Sequence, residues 1–175
     1  LNAGADANAR DNSGKTPLHF VNNNFQKKMT EDQALLDAAQ ALLDAGANLN
    51  ARDLFGYTPL PNISDGEHKL TKLFMLMVDA GANLNTRDYL GSTRLQMANW
   101  TEARLLIEAG ADLTLTDGYG RTVLYAMADR FQVSDEDQFI EIARLLISKG
   151  ADLEIIAEPN SVPLLSAAVQ SQPFN

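Results

Sequence analysis

The sequence predicts a mainly α-helical solenoid, in which helix-turn-helix units are joined by β-hairpin loops and stacked in a row. Two short phrases that recur along the chain carry this prediction. The pair Gly-Ala occurs five times, and successive pairs lie 42, 35, 29 and 40 residues apart. A second phrase, Asp-x-x-Gly-x-Thr-x-Leu, recurs in step with the first. Because phrases locked in phase mark a repeated unit, we expect a row of units with local contacts in place of one globule with a single centre.

Each unit opens with a tight turn, which the second phrase encodes. The glycine of the phrase supplies the positive φ that the turn requires, and the aspartate can accept hydrogen bonds from the turn backbone. The threonine is an N-cap for a short first helix, and in two units proline follows at the first helical position. The turn glycines are Gly14, Gly56, Gly91 and Gly120.

A second helix then carries an apolar stripe in each unit, for example Leu35, Leu36, Leu42 and Leu43 in the first. This helix ends at the Gly-Ala pair, whose glycine suits the position just past a helix C-terminus. The glycines at these helix ends are Gly46, Gly81, Gly110 and Gly150.

The combination of phrases resembles the ankyrin repeat, whose unit has about 33 residues, opens with Asp-x-x-Gly-x-Thr-Pro-Leu-His and ends with Gly-Ala-Asp-x-Asn. The resemblance covers nearly the whole chain and implies one ankyrin-repeat domain over residues 1–175. Its four full repeats are 11–52, 53–87, 88–116 and 117–157. Residues 1–10 resemble the end of an earlier repeat and residues 158–175 the first helix of a later one. We therefore expect the chain to be a fragment of a longer protein.

The histidine of the ankyrin motif is present only as His19; Pro61, Gln96 and Tyr125 stand at the equivalent positions. In the family this histidine ties neighbouring repeats together through hydrogen bonds. We therefore expect looser junctions where it is replaced.

Unequal repeat lengths predict unequal helices. Two repeats are longer than the family unit, and their extra residues fall at 22–33 and 129–139, between the helices. Each insertion ends in a helix-start signal, which predicts lengthened second helices with loops in front that could form a second contact site. Repeat 88–116 is short, and we expect a stunted helix pair there.

The residue inventory argues against catalysis. The absence of cysteine excludes disulfide frameworks, cysteine-ligated zinc and thiol nucleophiles. His68 has no second histidine at the spacing of a zinc helix, and we expect it on a helix surface. The acidic cluster 135–137 lacks the ligand spacing and the glycine of a calcium loop. We expect a protein without enzyme activity, catalytic residues, metal or cofactor.

Charge and hydropathy narrow the class of partner. The chain has 14 Lys and Arg against 23 Asp and Glu, a net charge of −9, which disfavours nucleic acid. No apolar run is long enough to span a membrane, and the start of the chain lacks the features of a signal peptide. We expect a monomer in the cytoplasm, or one delivered into a host cytoplasm if it is part of an effector. A basic rim on its protein partner would complement the net charge.

The resemblance implies that a partner protein binds the concave face, which the hairpin tips and first helices form. Several tip residues are apolar or aromatic, although turns are normally polar. Aromatic clusters of this kind are typical of binding hot spots. A competing interpretation is that these side chains fold down on their neighbours. The candidate binding residues are Leu54, Phe55, Tyr57, Tyr89, Leu90, Tyr119 and Arg121 on the tips, with Trp100 expected on a first helix.

The sequence therefore predicts a non-enzymatic scaffold for protein–protein interaction. Two alternatives remain: a targeting module of a larger enzyme or secreted effector, and a structural self-association module. The resemblance also implies that Asn50 and Asn85 stand where ankyrin proteins can present asparagine to a hydroxylase, but local hydrogen bonds within the hairpin are the preferred explanation of these residues.

Overall fold

A computed structural model of the chain describes residues 4–23, 32–63, 68–130 and 136–151. The only extended pairing within these ranges is a single antiparallel bridge between Arg87 and Thr93. The mainly helical class is confirmed, whereas the solenoid arrangement and the hairpin loops stay predictions. The helices are α1 (Pro17–Asn23), α2 (Asp32–Asp44), α3 (His68–Asp79), α4 (Arg94–Met97), α5 (Trp100–Glu108), α6 (Val123–Arg130) and α7 (Glu136–Ser148).

The four Asp-x-x-Gly turns share one hydrogen-bond pattern. In the second turn, the Asp53 carboxylate accepts from the backbone N–H groups of Phe55 and Tyr57, both at 2.9 Å. The Asp53 N–H donates to the Tyr57 carbonyl, and the N–H of Gly56, at φ +86°, donates to the Asp53 carbonyl. The same bonds recur around Asp11, Asp88 and Asp117.

The helix ends that precede Gly-Ala also share one geometry. At the end of α2, the Ala47 N–H donates to the Leu42 carbonyl and the Gly46 N–H to the Leu43 carbonyl, both at 2.9 Å. With Gly46 at φ +80°, these bonds form a Schellman motif, which satisfies carbonyls that the helix leaves unpaired. The same pair of bonds closes α3, α5 and α7.

The helices pack in a regular order along the chain. Helix α1 packs against α2, and α2 packs against α3. In the second part of the chain, α4 packs against α5 and α6, while α7 packs against α5 and α6. One continuous apolar core joins these contacts and includes Leu18, Leu35, Phe74, Leu95, Leu106, Met127 and Leu146.

The first helix expected in repeat 53–87 is not present in the described residues 58–63, which are not helical. Pro61 explains this difference. Proline lacks the N–H that a helix needs, and its ring disfavours the helical conformation of the preceding residue, Leu60. Leu60 and Ile63 are nevertheless buried, so this non-helical segment still fills its place in the core.

Helix lengths vary along the chain as the repeat lengths do. Repeat 88–116 holds α4 with 4 residues and α5 with 9, whereas α2 and α7 have 13 residues each. Residues 24–31 and 131–135, which include most of the expected inserted loops, lie outside the described residues. The repeat boundaries themselves stay a prediction.

Candidate protein-binding surface

The turns of neighbouring repeats lie directly against one another. The Leu54 N–H of the second turn donates to the Ser13 carbonyl of the first at 2.9 Å. The second and third turns approach so closely that a Cβ atom on Gly56 would lie 3.2 Å from the Cα of Asp88. At the last junction, a Cβ on Gly118 would overlap the Leu90 carbonyl oxygen. The four turns therefore form one row, which we call the turn row.

Three arginines tie the turn row together from within. Arg10 donates from Nη1 to the carbonyl of Gly14, in its own turn, at 3.0 Å and to that of Arg52, in the next, at 2.7 Å. Arg52 and Arg87 make the equivalent bonds to their own and the following turns. This series of arginine hydrogen bonds is not among the features that the sequence predicts. An arginine before the aspartate in three of the four phrases was the signal for it.

Asparagine side chains form a second series of hydrogen bonds, which connects the loops that follow the second helices. The Asn8 side-chain oxygen accepts from the Asn48 N–H at 2.7 Å, and the Asn50 oxygen accepts from the Asn83 N–H at 2.8 Å. Asn85 continues the series by accepting from the Asp112 N–H at 2.8 Å. These bonds agree with the structural interpretation of Asn50 and Asn85, and hydroxylation stays untested.

His19 ties the first repeat to the second turn. Its Nδ1 lies 2.9 Å from the Thr16 hydroxyl oxygen and its Nε2 lies 3.2 Å from the Tyr57 carbonyl oxygen. Burial lowers the pKa of His19, although the hydrogen bond to the Tyr57 carbonyl acts in the opposite direction. The buried ring is therefore favoured in its neutral form.

Gln96 makes the same tie without a histidine. Its side-chain oxygen accepts from the Thr93 N–H at 2.8 Å, and its side-chain nitrogen donates to the Arg121 carbonyl at 3.0 Å. Arg121 follows the turn glycine as Tyr57 does in the second repeat. The expectation of a looser junction at Gln96 is wrong, because a primary amide presents the acceptor and the donor that the imidazole supplies.

At the Pro61 junction, different side chains connect the repeats. Arg94 donates to the Pro61 carbonyl at 3.1 Å, and Asn99 donates to the Ile63 carbonyl at 2.6 Å. Both acceptors belong to the non-helical segment 58–63, where no helix supplies backbone partners. Arg94 stands where the motif has proline, and its guanidinium supplies a hydrogen-bond donor to this non-helical segment.

Arg94 also forms a buried ion pair with Glu102. Its guanidinium nitrogen lies 2.7 Å from the carboxylate oxygen, and only 2% of the Glu102 side chain is exposed. Burial raises the pKa of Glu102, while the charge of Arg94 and its hydrogen bond act in the opposite direction. This ion pair therefore belongs to the interior of the fold and not to its exposed surface.

The outward side of the turn row carries six large apolar or aromatic side chains, which we call the tip stripe. All six were expected from the sequence as binding residues, and each remains at least 40% exposed. They are Leu54 (73%), Tyr89 (69%), Tyr119 (69%), Phe55 (55%), Leu90 (46%) and Tyr57 (40%). The close packing of the turn backbones brings these side chains into one row.

Arg121 stands beside the end of the tip stripe. Its guanidinium donates to the Asp117 carboxylate at 2.7 Å and to that of Asp129 at 3.1 Å. The same group lies 5.1 Å from the ring centroid of Tyr119 and 5.9 Å from that of Tyr125, within range of a cation–π interaction. The hydrogen bond to Asp117 raises the pKa of Arg121, which stays charged.

Trp100 does not lie on a first helix, and that expectation is wrong. The side chain of Asn99 accepts from the Glu102 N–H, which makes Asn99 the N-cap of α5 and Trp100 its first residue. The Trp100 ring is half-buried and packs edge-on against Phe139 of α7, with the centroids 6.2 Å apart. Its contacts therefore join two second helices.

Within residues 4–23, 32–63, 68–130 and 136–151, no three His, Asp or Glu side chains are grouped so that they could hold a metal ion. None of the helices in these ranges combines the length and apolar character needed to cross a membrane.

Comparison with known proteins agrees with the recurring phrases and turns. A search of the curated proteins finds no match to the chain. Residues 13–54, which include α1, α2 and the junction with the second turn, match the family model described as ankyrin repeat. Over these residues, the match supports the ankyrin family that the sequence indicated.

Proposed function

We propose that this chain is a non-enzymatic scaffold that holds a partner protein on the tip stripe. The ankyrin repeat is a generic protein–protein interaction module. The observation that supports this surface is the exposure of six large apolar or aromatic side chains in one row. A contiguous exposed apolar patch on a folded protein usually marks a contact surface.

The first turn supports a binding role over a structural one. Asn12 and Ser13 occupy the positions that Leu54 and Phe55 occupy in the second turn, yet both turns make the same backbone and aspartate bonds. The apolar side chains are therefore not required by the turn geometry. Exposures from 40% to 73% also argue against the alternative in which they fold down on their neighbours.

The partner is expected on the concave face of the proposed solenoid. In that arrangement the tip stripe forms one edge of the face, and the first helices α1, α4 and α6 form the remainder. Trp100 is not included, because it packs between α5 and α7. We further propose that the scaffold acts as a monomer in the cytoplasm and that a basic rim on the partner complements the net charge of −9.

The double substitution Phe55→Ser with Tyr89→Asn tests this function, since it gives the second and third turns residues that the first turn already tolerates. Immobilised wild-type chain should capture a protein from cell extract, and mass spectrometry should find that protein lost with the double variant. The matched control is Ile147→Ser, which removes an exposed apolar side chain from α7. Equal capture by the wild type and the double variant would show that the tip stripe does not bind the partner.

A further inference from the structure

We propose a second interaction surface, the groove between α2 and α3, which takes an amphipathic helix with Lys or Arg beside its apolar stripe. The groove has a volume of about 520 Å³. It lies between two second helices, and it shares no lining residue with the tip stripe. This surface is therefore separate from the proposed function of the turns.

The floor of the groove is apolar. Leu36 of α2 and Leu76 of α3 are half-buried and pack against the core, while Met75 is 42% exposed. A flexible thioether can adapt its shape to the side chains that enter, which makes methionine common at adaptable binding surfaces. Grooves of this kind accept the apolar face of a helix through residues spaced three and four apart.

The equivalent pair of helices, α5 and α7, is joined across its surface. Arg104 of α5 forms an ion pair with Glu141 of α7, and Trp100 packs edge-on against Phe139. On α2, Gln33 donates to Asp37 and Gln40 donates to Asp44, both at 2.8 Å, along the same helix. The side chains of Gln33, Asp37 and Gln40 line the α2 side of the groove.

The charge of the groove favours a helix that carries Lys or Arg. Helix α2 contains three aspartates and no basic residue, and Asp37 lies in the groove lining. Asp79, also in the lining, is the last residue of α3, where the helix dipole adds to the negative potential. Among the described residues of the lining there are two carboxylates, Asp37 and Asp79, and one base, Lys72. An acidic peptide or an anionic surface would be repelled.

Two labelled synthetic peptides test the proposal with the full chain. The first repeats Leu-Lys-Lys-Leu-Leu-Lys-Leu twice, which places leucine on one helical face, and the second has the same composition in an order without that face. Fluorescence anisotropy should show at least tenfold tighter binding of the first peptide. Equal binding of both peptides would show that general charge attraction accounts for the binding. That result would overturn the proposal.

Two matched variants locate the peptide. Met75→Asn should weaken binding at least tenfold, whereas Ile147→Asn, at a site of similar exposure on α7, should change it less than twofold. The double variant Phe55→Ser with Tyr89→Asn should bind the peptide as the wild type does, which separates this surface from the tip stripe. Unchanged binding by Met75→Asn would contradict the proposal. Sedimentation that shows a dimer lost in Met75→Asn would assign the groove to a second copy and also contradict it.

Discussion

The inward and outward sides of the turn row differ in chemistry although they share the same few residues. Asp53 is 7% exposed and holds two backbone N–H groups, whereas Phe55, two residues later, is 55% exposed. The inward side repeats in all four turns, and the outward side changes from Asn12 and Ser13 to leucine and aromatic residues. This difference separates the side chains that hold the turns from those proposed to bind a partner, so that each set can be changed without the other.

The largest expected effect concerns the buried ion pair of the interior. Glu102→Ala would leave Arg94 without its partner in a site from which water is largely excluded, at a cost of about 3–5 kcal/mol in the free energy of unfolding. Urea unfolding measures this cost. The control is Glu141→Ala, which removes an exposed partner of Arg104 and should cost less than about 1 kcal/mol. Equal losses in the two variants would contradict the distinction between the interior and the surface.

A smaller loss is expected at the closest contact within the turn row. The methyl group of Gly118→Ala would enter the space of the Leu90 carbonyl oxygen. Overpacking of this kind costs about 1–3 kcal/mol, because one turn must move away from the next. Tyr119→Ala, at the neighbouring exposed residue, should change stability by less than about 0.5 kcal/mol in the same urea titration. A stable Gly118→Ala chain would show that the turns are not closely packed.

The two side chains that tie repeats together should differ in their response to acid. Burial lowers the pKa of His19 below 6.5, so the unfolded chain binds the proton more readily and stability is lost as the pH falls below this value. His19→Gln copies the tie that Gln96 makes and has no titrating group. We expect equal stability of the two proteins at pH 7.5 and a smaller loss for the variant at pH 5.5.

Thermal unfolding of both proteins across that pH range measures the difference. The two chains differ only at residue 19, so the comparison isolates the contribution of His19. Parallel loss of stability in both proteins would mean that His19 is not held in its neutral form.

The local geometry of the fold could be predicted from the sequence, because it is set by single residues. Glycine at positive φ and aspartate at a turn act on their own backbone, and the Asp-x-x-Gly turns and Gly-Ala helix ends follow from them. The exposed tip residues could be identified for the same reason, since they occupy fixed positions in that turn.

Features that depend on distant partners could not be predicted in this way. The carbonyls that Arg10 and Arg94 bind lie in other repeats, and nothing local in the sequence names them. The sequence predicts Trp100 on a first helix, but Asn99 caps α5 and Trp100 is the first residue of that helix. Gln96 replaces the histidine of the motif, yet its amide makes the same two kinds of hydrogen bond.

The central claim is that the tip stripe is free of any structural duty, and the smallest expected effect tests it most directly. The measurement is the free energy of unfolding of the Phe55→Ser, Tyr89→Asn double variant, determined by urea titration beside the wild type. Because both substitutions copy residues of the first turn, we expect a difference of less than about 0.5 kcal/mol. A loss of about 2 kcal/mol or more would show that these aromatic side chains hold the turns together, and it would contradict the account.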